Sequence, residues 1–201
     1  AGGSNRRNAH DPFTAYGSIG TMVEFRDATP ADAHGIADLL VRSWRAAYQG
    51  LIPDEVLAGL SVADRERFWS DVITTRPPHT DQVVATSAGA IVGFAATGPP
   101  LVPADREDPT LGDLYALYLD PDVWRRGIGT QLLAVALDRL RSRGFTHAGL
   151  WVLDTNESAL RFYERNGWTD TGRTQVDRGR GAAELHERRL HRDLGGRTAI
   201  A

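Results

Sequence analysis

The segment Leu111 to Leu119 is almost wholly apolar. It runs directly into Asp120-Pro121-Asp122-Val123-Trp124-Arg125-Arg126-Gly127-Ile128-Gly129-Thr130 and then into a strongly periodic stretch. This junction constrains the fold more than any other part of the chain. A continuous apolar run of that length reads as a strand buried on both faces, so the sheet needs cover on each side. Ile128, Leu132, Leu133, Ala136, Leu137 and Leu140 recur at helical spacing after it. The first-turn N–H groups of such a helix have no intrahelical partners, and the helix dipole favours an anion there. Glycine at 127 and 129 removes side chains that would hold a phosphorylated ligand off the backbone. Two other readings compete. A lone Gly-x-Gly turn also serves as a plain tight connection. A dinucleotide fingerprint would need a third glycine where Leu132 stands, and it normally opens the first βαβ unit rather than lying past mid-chain.

The rest of the chain supplies partners for that central strand. Val23 to Arg26 reads as a short strand. Thr29-Pro30-Ala31-Asp32 is a helix start, with a hydroxyl cap, proline at the first helical position and a carboxylate at the third. Ile36, Leu39, Leu40, Trp44, Ala47 and Tyr48 share one face of the helix that follows, which Gly50 ends. A short helix is expected over Pro53 to Leu60, and another from a Ser61 cap to about Ile73. Gln82 to Thr86 and Ala90 to Thr97 read as a hairpin, and Pro99 to Pro109 as an acidic surface loop. The helix after Gly127 should end near Gly144, with Arg139, Arg141 and Arg143 complementing its dipole. His147 to Leu153 is the next strand, and Asn156 to Arg165 a helix. Trp168 to Thr174 and Glu184 to Arg192 are the last strands. The order predicts one α/β (α+β type) domain over 22–194, with helices on both faces of a mixed, mostly antiparallel sheet of six to seven strands. Residues 1–21 read as a disordered extension or expression remnant, and 195–201 as a frayed tail.

Composition excludes several classes. The chain of 201 residues has no cysteine, which removes disulfides, thiolate metal sites and an acyl-cysteine intermediate. It has no lysine, so a P-loop is excluded. A net charge of −3 with interspersed signs is not the footprint of a nucleic-acid binder. No apolar run is long enough to span a bilayer, and 1–21 lacks a signal-peptide core, so no membrane partner and a cytoplasmic location are expected. The six histidines are scattered without metal-ligand spacing, so no metal is expected. Arg188, Arg189 and Arg192 sit among Glu184, Glu187 and Asp193 and read as a solvated face.

A second motif follows the first: Asn156-Glu157-Ser158-Ala159-Leu160-Arg161-Phe162-Tyr163-Glu164-Arg165-Asn166-Gly167-Trp168. Together, in this order and spacing, the two segments resemble the acetyl-CoA-binding motifs of the GNAT superfamily, the Gcn5-related N-acetyltransferases. The resemblance extends over Val23 to Arg192. It departs at Trp124, where the family pattern has glutamine or arginine.

The resemblance implies a GNAT fold and transfer of an acetyl group from acetyl-CoA to a primary amine of a small molecule or protein N-terminus. The cofactor's diphosphate would meet the backbone of Arg125, Arg126, Gly127, Ile128, Gly129 and Thr130. A direct ion pair from either arginine stays open. Asn156 would contact the cofactor arm. A backbone N–H within Leu117, Tyr118 and Leu119 would hold the oxyanion, where the two parallel strands splay. Tyr163 would act as general acid toward the departing thiolate, since a phenol of pKa about 10 can protonate a thiol of pKa about 8.5. Asp113 is the candidate base for the amine, with a strand-end carboxylate as the alternative. Tyr115 is a second candidate at the acceptor site. Trp44 and Tyr48, four apart on one face, either line that site or belong to the core. A CoA-binding regulatory module without catalysis, a nucleotide-binding protein, and a homodimer paired through the last strands all remain compatible.

Overall fold

A computed structural model describes residues 22–178 and 184–195, so the expectations for 1–21 and 196–201 lie outside the described residues. The elements are β1 (Val23–Asp27), α1 (Ala33–Tyr48), α2 (Asp54–Ala58), α3 (Val62–Thr75), β2 (Asp81–Ser87) and β3 (Ala90–Gly98). Then follow β4 (Leu111–Leu119), α4 (Ile128–Ser142), β5 (His147–Leu153), α5 (Glu157–Arg165), β6 (Thr169–Asp177) and β7 (Leu185–Asp193). The strands form one seven-stranded sheet in the order β1-β2-β3-β4-β5-β7-β6. Among the described residues β4 and β5 pair in parallel, and the other neighbouring strands pair antiparallel.

Each face of the sheet carries its own core. On one face α4 and α5 cover Val83, Ala85, Ala95, Leu114, Leu150 and Leu190 with Leu132, Leu133, Ala136, Leu137 and Leu140, and the partly buried Phe162 and Tyr163 pack against them. On the other face Ile36, Leu39, Leu40, Trp44, Leu57 and Ile73 of α1 to α3 meet Val84, Phe94, Ala96 and Ala116. The start of α1 is secured by charge. The Asp32 carboxylate accepts from the Thr29 backbone N–H at 2.8 Å and from both terminal nitrogens of Arg26 at 2.7 and 2.8 Å.

Two irregularities in β4 position the site. The β3–β4 register slips between Ala96/Thr97, opposite Ala116 and Leu114, which leaves Tyr115 as the extra residue of a bulge. Tyr115 and Ala116 consequently both serve the α1–α3 face. The parallel β4–β5 ladder covers only Leu111–Asp113 against His147–Gly149. Beyond Asp113, β4 keeps its pairing to β3 while its other edge parts from β5.

Candidate active site

The turn between β4 and α4 is held from outside the helix. Asp120 accepts from the Asp122 backbone N–H at 3.0 Å and from Arg42 of α1 at 2.6 Å. The indole N–H of Trp124 donates to the Leu119 carbonyl at 3.1 Å. The position that departs from the family pattern is therefore a strut between turn and strand. Arg125 and Gly127 have φ of 62° and 80°. Gly127 stands at the cap of α4, where no side chain caps the helix and no acidic residue occupies its first turn. Arg125, Arg126, Gly127 and Thr130 are exposed, so the uncapped helix start lies open to solvent next to two cationic residues. Gly129 has a different task. A Cβ there would lie 2.9 Å from Leu119 Cδ1 and 3.5 Å from Phe162 Cε2. Its missing side chain brings α4 close to β4 and α5 rather than admitting a ligand.

The second motif lies across the split. Asn156 is 7% exposed and caps α5, its side-chain oxygen accepting from the Ala159 N–H at 3.0 Å. Tyr163 packs edge-on against Trp168 and Phe162, with centroids 5.7 and 5.2 Å away. Burial first, then the neighbouring Tyr118 phenol, pushes its ionisation well above the ordinary tyrosine range. Tyr163 is thus kept protonated, as a proton donor must be. That Tyr118 and Tyr163 sense one another, although each packs against a different core, follows from the gap between β4 and β5.

On the α1–α3 face, next to the bulge, lies a cavity of about 290 Å³. Trp44, Tyr115, Tyr118, Phe68, Trp69 and Leu60 contribute to its walls, together with the charged Arg65 and Asp177. Trp44 and Tyr115 therefore stand where an acceptor site was expected. Tyr48 does not line the cavity; it packs on Trp44 at 4.7 Å between centroids. The Tyr115 hydroxyl is already engaged, donating to the Pro99 carbonyl, and burial raises its ionisation.

Asp113 is absent from the cavity walls. It is 4% exposed, with Arg189 of β7 donating at 2.5 Å to Oδ1 and 3.1 Å to Oδ2. Burial pushes its carboxyl up, against the pull of the Arg189 guanidinium. A carboxylate held this way is not presented to an amine in the cavity, which speaks against the expected base role. Two further expectations are corrected here. Arg189 is 3% exposed and is not part of a solvated face. The acidic loop is turned inward at Asp105, which is 6% exposed, lies 3.3 Å from Arg189 and accepts from Arg173 at 2.7 Å. Trp151 lies beneath both guanidiniums, at 5.3 and 5.8 Å. Strand alternation explains the difference: neighbours of Arg189 on β7 face the other way, and Arg188 pairs with Asp170 at the surface.

Sequence reasoning missed Arg65, Phe68, Trp69 and Asp177 as cavity residues. The adjacent aromatic pair Phe68 and Trp69 on the third helix is an available signal. Asp177 is not accessible that way, because β6 runs past Thr174, the expected end of the strand. Among the described residues no three His, Asp or Glu side chains converge as a metal site, and no helix is long and apolar enough to cross a membrane.

Comparison with known proteins agrees with this layout. The family model described as Acetyltransferase (GNAT) family matches residues 35–168. An uncharacterized N-acetyltransferase of Bacillus subtilis, YuaI, is 34% identical over 143 residues, covering 71% of this chain and 78% of that protein. The PaiA N-acetyltransferase of Thermoplasma acidophilum, solved with coenzyme A, superposes with a TM-score of 0.67 at 18% identity, over 86% of this chain and 99% of that one. The yncA protein of Salmonella typhimurium, solved with its cofactor acetyl-CoA, does so at 0.65 and 18% identity, over 90% and 99%. With an uncapped helix start after a strand that parts from its parallel neighbour, a phenol across the gap, and a family match through both motifs, the chain belongs to the GNAT family of acetyltransferases.

Proposed function

We propose that the chain transfers the acetyl group of acetyl-CoA to the primary amine of a small molecule, by direct attack in a ternary complex. The observation that carries this reading is the convergence at the β4–β5 split: the open N-terminus of α4, the protonated Tyr163, and a cavity whose wall includes Tyr118, the electrostatic neighbour of Tyr163. In open sheets ligands lodge at the carboxyl ends of the strands where such connections diverge. Solved relatives of this fold carry coenzyme A or acetyl-CoA.

The diphosphate would rest on the N–H groups of Arg125 to Thr130, with the acyl arm running into the split past Asn156. The amine nitrogen attacks the thioester carbon and the C–S bond breaks. The tetrahedral oxygen takes a hydrogen bond from the open edge of β4 between Leu117 and Leu119. Tyr163 gives its proton to the sulfur, and the attacking nitrogen loses one to solvent. No acyl-cysteine can intervene, since the chain has no cysteine.

A thermal-shift titration with acetyl-CoA, free CoA and NAD, followed by thiol-release assays on primary amines, tests the reading. A saturable rise with acetyl-CoA and none with NAD is expected. No shift with either CoA species would make the turn a structural connection only. Binding with no turnover on any amine would favour a CoA-binding regulatory module.

A further inference from the structure

The cavity holds a charge that the transfer reaction does not use. Arg65 projects from α3 and contributes to the wall beside Phe68 and Trp69. Among the described residues Arg65, Arg76, Arg125, Arg126 and Arg165 have neither a hydrogen-bonding side chain nor an ion pair, and all but Arg65 are exposed. Arg125 and Arg126 belong to the turn proposed to hold the diphosphate, which would give them a ligand. Arg65 alone combines partial burial, no protein partner and a place in a cavity wall. A guanidinium drawn partly out of water costs free energy until an anion answers it. Its planar fork matches a carboxylate with two parallel hydrogen bonds.

Its surroundings narrow the ligand further. Five aromatic side chains, Trp44, Phe68, Trp69, Tyr115 and Tyr118, share the wall with Arg65. A polycation would meet Arg65 unfavourably, whereas an amine that also carries a carboxylate would answer its charge. At about 290 Å³ the cavity stands at the small end for ligand sites, which run from about 300 to 1,000 Å³, so the acceptor is compact.

We infer that the acceptor is a compact amphoteric amine, an amino acid with an apolar body, and that Arg65 holds its carboxylate while the amine faces Tyr118. This inference rests on the acetyltransferase reading and deepens it. Arg65 is a specificity-determining residue here; it takes no part in the bond changes.

The test uses matched acceptors: apolar amino acids with amine and carboxylate one, two or three carbons apart, each beside the same amine without the carboxylate. Thiol release is followed for the full chain and for R65Q and R65K. A charge-assisted pair predicts a preference of about ten- to hundredfold in kcat/KM for the acid-bearing member of at least one pair, mostly in KM. R65Q should bring that ratio close to one, and R65K should restore part of it. Equal rates within every wild-type pair, or a loss in R65Q that falls equally on both members, overturns the assignment. So does acetylation of carboxyl-free amines alone. Should R65Q fail to fold by circular dichroism, the wild-type ratios and R65K decide the matter. An absent acetyl-CoA shift in the wild-type protein would instead sink the transferase reading beneath it.

Discussion

Replacing Asp113 by asparagine separates two roles for one carboxylate. The substitution preserves volume, so the loss is one of charge. Arg189, 3% exposed, would then depend on Asp105 Oδ2 at 3.3 Å, and Asp105 is shared with Arg173. Removing one partner of a buried ion pair costs about 3–5 kcal/mol. Because Asp105 remains, the lower end applies, about 3 kcal/mol, equivalent to a fall in Tm of about 6–12 °C for a domain of this size. Arg189→Met should cost at least as much, since two buried carboxylates would be left facing each other. The double variant should be less damaged than the sum of the single ones, by about 1–3 kcal/mol, because the partners act as a unit. Thermal and urea unfolding measure these terms, and the pH profile of kcat/KM for the folded Asp113→Asn protein completes the test. A variant that unfolds at the wild-type midpoint but loses turnover, with the acidic limb of its profile gone, would refute the ion-pair account and return Asp113 to the role of base.

Tyr163→Phe should keep acetyl-CoA binding and lower kcat by about 10²- to 10⁴-fold, as removal of a general acid does, measured by thermal shift and thiol release. Burial raises the Tyr163 ionisation, so the wild-type rate should show no loss from tyrosine deprotonation up to the ordinary tyrosine pKa. Gly129→Ala should lower the unfolding free energy by about 1–3 kcal/mol and weaken acetyl-CoA binding, because its Cβ would stand 2.9 Å from Leu119 Cδ1 and press α4 away from the sheet. Asp32 is held down at about 2, chiefly by the Arg26 guanidinium, against an ordinary value of 3.8. Its stabilisation is complete above that ordinary value and is lost as pH falls through the folded one. Arg26 is 45% exposed, so the screened contribution is about 1–2 kcal/mol. Arg26→Gln should flatten the drop in Tm between pH 4 and 2.

Most of the scaffold was legible because each signal had a local cause. The unbroken apolar character of Leu111 to Leu119 marks a strand covered on both faces, and the spacing of Leu132, Leu133 and Leu140 marks the helix that covers one of them. The Asn156 cap and the aromatic face of α5 were equally readable. What escaped depends on register. The bulge at Tyr115 decides which β4 side chains reach the cavity, and no spacing in the sequence announces it. Arg189 sits among acidic neighbours that suggest a solvated face, yet its partners Asp113 and Asp105 are distant in sequence. Asp113 was singled out for its chemistry, and only the fold shows that Arg189 has taken both its oxygens. The far wall of the cavity comes from α3, whose charges look like ordinary helix surface until Arg65 is found without a partner.

The short β4–β5 ladder makes the sheet a wedge whose apex is Asp113, the last β4 residue paired to β5. At that apex Asp113 and Asp105 of the preceding loop close on the same guanidinium, that of Arg189 on β7, and a Cβ on Gly149 of β5 would crowd Arg189 Nη2. The angle between the two half-sheets is therefore set by an electrostatic rivet as well as by amide pairing. Because this rivet is buried, salt screens it little. The aperture proposed to receive the thioester should hold its width in conditions that would loosen the surface ion pairs around it.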